Sequence, residues 1–262
     1  MRVPRTLGTL AAVTLMTAAV AAQDAADLQS DVAEQHPLAP ALRLARASEQ
    51  AAGGLTDYVA VFSKREFVNG RRDLHQMQIK FRESPFSVYM KFLSPHAGRE
   101  VLYVEGANGG NLLAHGTGIK GLIGTVALDP DGPRAMSEGR YPITLFGMKK
   151  MVHGVIRQWE RDTEHPAAES QVVYYQSAQL GNTECLAIEV KHPVRQPHYP
   201  YHLTRLYIDK ATRLPVRLEQ YAFPSRPGGE PILVEEYTYS QIHSNVGLTD
   251  ADFSTRNPAY DF

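Results

Sequence analysis

The sequence predicts a mainly β, α+β domain: a strongly curved antiparallel sheet, or unclosed half-barrel, of about ten strands with helices on its concave side. Three observations carry this. Apolar residues recur at every second position in two long runs, which is the strand period. Asn69-Gly70 and Gly181-Asn182 are tight-turn signals inside those runs. Only two segments have the helical period, so the apolar faces of the strands have few other elements to cover them.

The first helix is expected over Pro37–Ala52, where Leu38, Leu42 and Ala45 share one face and Gly53-Gly54 stop it. From Leu55 the period becomes two. Tyr58–Phe62 is a strand core, and Asn69-Gly70 turns it back. In the return strand Met77, Ile79 and Phe81 face one way, against Gln76, Gln78, Lys80 and Arg82. After Ser84-Pro85, the residues Phe86, Val88, Met90 and Phe92 face one way and Ser87, Tyr89 and Lys91 the other. Glu100–Glu105 and Asn111–His115 continue the meander.

The middle breaks the pattern. Gly116, Gly118, Gly121 and Gly124 form either a flap or a set of tight turns. They lack the Gly-Lys-Ser/Thr ending of a phosphate loop, and Thr125–Leu128 looks like a strand. Asp129-Pro130-Asp131-Gly132-Pro133 is a dense loop. Thr144–Glu164 has helical character, with Leu145, Met148, Met151, Val152, Val155, Ile156 and Trp159 near one face. A second meander follows. Leu186, Ile188 and Val190 alternate with Cys185, Ala187 and Glu189. His202–Asp209, Leu214–Glu219 and Ile232–His243 complete it.

Residues 1–21 read as a secretory signal peptide: Arg2 and Arg5, an uncharged run rich in Ala, Leu and Val, then Ala19-Val20-Ala21. Residues 22–36 are a polar lead-in, and 37–262 one domain. The protein is thus expected to be exported, and periplasmic if its source has two membranes. No later segment is apolar for long enough to span a bilayer. Basic residues number 27 and acidic 28, which excludes the basic surplus of a nucleic-acid binder. The single Cys185 excludes an intramolecular disulfide and a thiolate metal cage. It lies on a strand between apolar neighbours and reads as buried and inert.

The sequence contains no Gly-x-Ser-x-Gly, Ser-x-x-Lys or His-Glu-x-x-His motif. His192, His198 and His202 sit in a proline-rich loop without carboxylates at ligand spacing and read as exposed loop residues, not a metal site. Asp129 and Asp131 are explained by turn chemistry, and Glu235 and Glu236 point to opposite faces of a strand. No cofactor is implied. The candidate site is a concave apolar surface of Met77, Ile79, Phe81, Val88, Met90, Phe92, Leu186, Ile188 and Val190. If the helices fill that side, these residues are core. If they fill it in part, the residues line a cavity. Arg82, Arg99, Glu100 and Arg140 are candidates for a polar rim, or for ion pairs and a tether.

The run Phe81–Leu93, followed by Gly98–Gly106, resembles the secreted bacterial domain-of-unknown-function family numbered 1571. The resemblance runs from about Leu55 to Phe262. It takes in Leu128-Asp129-Pro130, Arg140–Thr144 and Asn257–Phe262, and it implies no catalytic residues. Leu206–Lys210 with Leu214–Tyr221 is more distantly similar to the paired strands of LolA/LolB-type lipoprotein carriers. That likeness implies an unclosed barrel holding acyl chains. Three functions follow as expectations. The first is a carrier for a lipid or acylated protein. The second is an envelope module with a filled cavity that binds a protein partner. The third is a hydrolase of envelope polymers.

Overall fold

The computed structural model describes residues 36–118 and 124–262. The expected signal peptide and nearly all of the lead-in lie outside them, as do residues 119–123 of the glycine-rich segment. Helix α1 spans Leu38–Gly53. Strands β1 (Asp57–Val68), β2 (Arg71–Arg82), β3 (Ser87–Ser94), β4 (Glu100–Val104), β5 (Leu112–His115) and β6 (Thr125–Leu128) follow. Helix α2 spans Met148–Asp162. Strands β7 (Gln171–Leu180), β8 (Thr183–Lys191), β9 (Leu203–Asp209), β10 (Pro215–Ala222) and β11 (Ile232–Ser244) complete the fold. The sheet has eleven strands, one more than the sequence count.

The order is β6-β5-β4-β3-β2-β1-β11-β10-β9-β8-β7. The first meander runs outward from the centre to β6 and the second runs inward from β7 to β11, which pairs antiparallel with β1. The strands β6 and β7 are the two edges, so the barrel is not closed. Register shifts that put an extra residue in β3, β7, β10 and β11 help bend it, because a bulge adds twist and curvature to its strand. The chain between the two edges crosses the concave face, carrying a strap (residues 129–147) and then α2.

The concave face is the core face. The α2 stripe of Met148, Val152, Val155, Ile156 and Trp159 packs on it beside Leu38, Ala41, Leu42 and Ala45 of α1. The helix begins at Met148, later than Thr144, and Gly147 is the reason. Its φ of +119° is a region that side chains avoid, and an added Cβ would lie 2.9 Å from Phe81 Cε2. Ile143–Leu145 make only a short 3-10 turn.

The convex face departs from expectation. Ser87 and Tyr89 do point away from Val88, but both are buried. The C-terminal segment folds over them. Phe253 packs on Tyr89 and Leu102, and Tyr260 stacks on Tyr89 with ring centroids 3.9 Å apart. Farther along the same face, Arg205 bridges Glu189 and Glu219, and Arg217 bridges Glu219 and Glu236.

Of the three loop histidines His198 is exposed as expected, and the other two differ. His192 and His202 are buried. His192 Nε2 lies 3.2 Å from the Asp162 carboxylate at the end of α2, and its ring stacks on Tyr199 at 3.7 Å. The prolines bend the loop inward, so its imidazoles tether the helix end to the sheet.

Candidate binding cavity

Helix α2 covers only part of the concave face. Beside it lies a cavity of about 1060 Å³, walled by the sheet, the strap and one flank of α2. That is at the upper end of the volume of small-molecule sites. Phe62, Met77, Met90, Phe92, Leu218 and Tyr239 supply its floor. They come from β1, β2, β3, β10 and β11, and each lies in phase on its strand with the core residues.

Three of the nine apolar candidates, Met77, Met90 and Phe92, border the cavity. The other six do not. Phe81 stacks on Tyr58 at 4.7 Å and meets Phe86 edge-on, beneath the start of α2. Ile79 and Val88 are buried beside it. Ile188 and Val190 are core, and Leu186, half-buried, packs against that core. Their strand β8 lies next to the β7 edge. Alternation reports a face, not a position along it, so the covered and open parts of the face look alike in sequence.

The polar candidates divide in the same way. Arg99 borders the cavity, lies 4.2 Å over the Phe92 ring and pairs with Glu138 of the strap. Arg140 donates through Nε to Glu235 at 2.6 Å. Arg82 and Glu100 lie on the convex face instead. Arg82 bonds Asp250 at 2.8 Å and covers Phe253. Glu100 is fully buried, held by Tyr89 Oη at 2.8 Å, Lys91 Nζ at 2.9 Å and the Asp261 backbone N–H at 2.9 Å. Arg82 is out of phase with Phe81, so the pleat itself excludes it from the rim.

The far end of the cavity is polar. Glu66 and Glu235 face each other across the β1–β11 ladder. Glu235 accepts from Arg140 and from Tyr141 Oη at 3.0 Å. Burial raises its carboxyl above the ordinary range, with Arg140 opposing. Glu66 accepts from Lys64 at 3.0 Å, from the Arg140 N–H at 3.3 Å and from Tyr237 Oη. Lys64 also donates to the Glu138 carbonyl at 2.8 Å. All four carboxylate oxygens of the pair lie within reach of donors or cations. The arrangement therefore latches the strap to the sheet, and Arg140 is a tether.

A family model described as a protein of unknown function (DUF1571) matches residues 55–262. The chain belongs to that family. No curated protein matches it. Solved structures similar to this family member include LprF from Mycobacterium bovis, 11% identical, with a TM-score of 0.45 over 82% of this chain and 97% of that one. The Mycobacterium tuberculosis lipoprotein LppX is 13% identical, with a TM-score of 0.44 over 80% of this chain and 98% of that one. A LolA superfamily protein from Nitrosomonas europaea is 11% identical, with a TM-score of 0.33 over 81% and 96%.

Sequence reasoning missed Lys64, Glu66, Gln220 and Glu235 as cavity residues. The signal was present, since Lys64 and Glu66 share the phase of Tyr58, Ala60 and Phe62. Polar residues at core-phase positions mark where the core gives way to a site. The Cys185 thiol is buried and pushed up to about 11, which keeps it protonated and inert.

Burial also lowers His36, His75 and His202 below the ordinary histidine value of 6.5. Below that value the unfolded chain binds protons at these sites that the folded chain does not. Stability should therefore fall as pH drops from 7.5 toward 5.5. Urea unfolding at the two pH values checks this. The triple variant His36→Gln, His75→Gln, His202→Gln should show a flatter dependence, and an unchanged slope would assign it to other groups.

Proposed function

We propose that this protein is an exported binding or carrier protein for an apolar ligand, a lipid or the acyl portion of an acylated protein. The single observation behind the reading is the cavity of about 1060 Å³ that α2 leaves beside the sheet, with its floor of Phe62, Met77, Met90, Phe92 and Leu218. An acyl chain lying on that floor would gain dispersion contacts and take apolar surface out of water. The same cavity counts against an envelope module whose helices fill its concave side. Against hydrolysis stand the donors and cations that occupy both Glu66 and Glu235. The signal-peptide reading of residues 1–21 supports export, and no described helix is long and apolar enough to cross a membrane.

The test uses the methyl ester of cis-parinaric acid, a neutral fluorescent acyl chain. The reading expects saturable binding of one ester per protein. A signal that grows linearly without saturating overturns it.

A further inference from the structure

Three acidic side chains border the cavity: Glu66, Glu138 and Glu235. Each is already neutralised. Lys64 pairs with Glu66, Arg99 with Glu138, and Arg140 with Glu235. Three further cations border the same cavity: Arg134 on the strap, and Lys150 and Arg161 on α2. None of them forms an ion pair among the described residues. Arg134 and Arg161 are exposed, and Lys150 is half-buried.

Lys150 is the informative one. Its Nζ lies 3.7 Å over the Phe86 ring and donates to the Thr144 carbonyl at 2.6 Å. An ammonium in that place has lost water and gained a ring face and one carbonyl, but no carboxylate in contact, and Glu83 and Glu105 act on it only from a distance. Desolvation accordingly lowers its pKa. An anion against Lys150 would reverse that cost.

Resting on the apolar-ligand reading above, we infer that the ligand is an anionic amphiphile. Its apolar chain lies along Met77, Met90 and Phe92, and its carboxylate or phosphate head meets one of the three unpaired cations that border the cavity, Lys150, Arg134 or Arg161. Among the described residues the lining holds two more cations than acids, and Arg140, paired with Glu235, adds a third. Such a surplus favours a negative head over a neutral or positive one, and more so where the low-dielectric wall limits screening.

The experiment compares cis-parinaric acid with its methyl ester on the full-length mature chain. The two probes share one tail and differ in head charge. The acid is expected to bind about tenfold tighter, with the gap narrowing as salt rises from 0.05 to about 0.5 M. The triple variant Arg134→Gln, Lys150→Gln, Arg161→Gln should erase the gap, with circular dichroism showing that it folds; a gap that persists in the folded variant overturns the inference. Equal affinity for acid and ester in the wild-type chain overturns this inference and leaves the apolar-ligand reading standing. Failure of both probes overturns both. Competition then separates the sources. Displacement of bound acid by phosphatidylglycerol and not phosphatidylcholine supports a phosphate head, and displacement by oleate alone supports a carboxylate. Displacement by phosphatidylcholine as strong as by phosphatidylglycerol would contradict a net-anionic head.

Discussion

Arg140→Ala is expected to cost about 3 kcal/mol of folding stability, because it strips the cation from a buried carboxylate. Glu235 is 1% exposed, and the guanidinium Nε lies 2.6 Å from its Oε2. Without Arg140 the carboxylate keeps only the Tyr141 hydroxyl as a described hydrogen-bond donor. The strap loses a second tie as well if Tyr141 shifts. The loss should depend on pH in a definite direction. Glu235 is already held above the ordinary carboxyl range by burial, and removing its cation raises it further. A group raised in the folded state contributes its stability fully below its unfolded value and loses it as pH rises. The variant should therefore be most impaired at neutral pH and approach wild type toward pH about 4.5. The double variant Arg140→Ala, Glu235→Gln should recover most of the loss, since no buried charge is left unpaired. Urea unfolding reads all three. A loss near zero, or one independent of pH, would mean that solvent reaches Glu235 and the latch is weak.

Met90→Asp is expected to fold and to weaken binding of the neutral acyl probe by roughly 100-fold, because a charge then stands in the apolar wall. Met90 is half-buried and borders the cavity, between Ile79 of β2 and Val101 of β4. Its aspartate can keep some water when the cavity holds no ligand, and must shed it when a chain enters. Met90→Leu conserves volume and polarity and should leave affinity within about threefold. The neighbouring stripe residue Val88 makes the contrast. It is 0% exposed, so Val88→Asp should abolish folding rather than binding. Circular dichroism and probe titration separate the two outcomes. Normal binding by a folded Met90→Asp chain would place the ligand elsewhere.

These two residues also show how much could be read from the sequence. The pleat is local, so alternation alone set Val88 and Met90 on one face, and the Asn69-Gly70 turn and the Gly53-Gly54 stop were readable for the same reason. Whether that face is covered depends on where α2 lands, and α2 is more than fifty residues away in the chain. The start of α2 is in turn set by the contact of Gly147 with Phe81, which no local pattern contains. Arg140 had a readable type and an unreadable partner, because Glu235 meets it only after the chain has closed its second meander. Glu100 misled for a further reason. It lies on the convex side of β4, the C-terminal segment that buries it there is a loop without period, and Tyr260 and Phe262 carry no pattern pointing to Tyr89.

The most direct measurement is native mass spectrometry of the protein purified from its native host, with lipid extraction of the same sample. The expected result is a near-stoichiometric lipid adduct that extraction removes and that the Met90→Asp chain lacks. A protein that leaves its host at its apo mass, and keeps that mass after incubation with an extract of the host's lipids, would contradict a ligand-holding cavity.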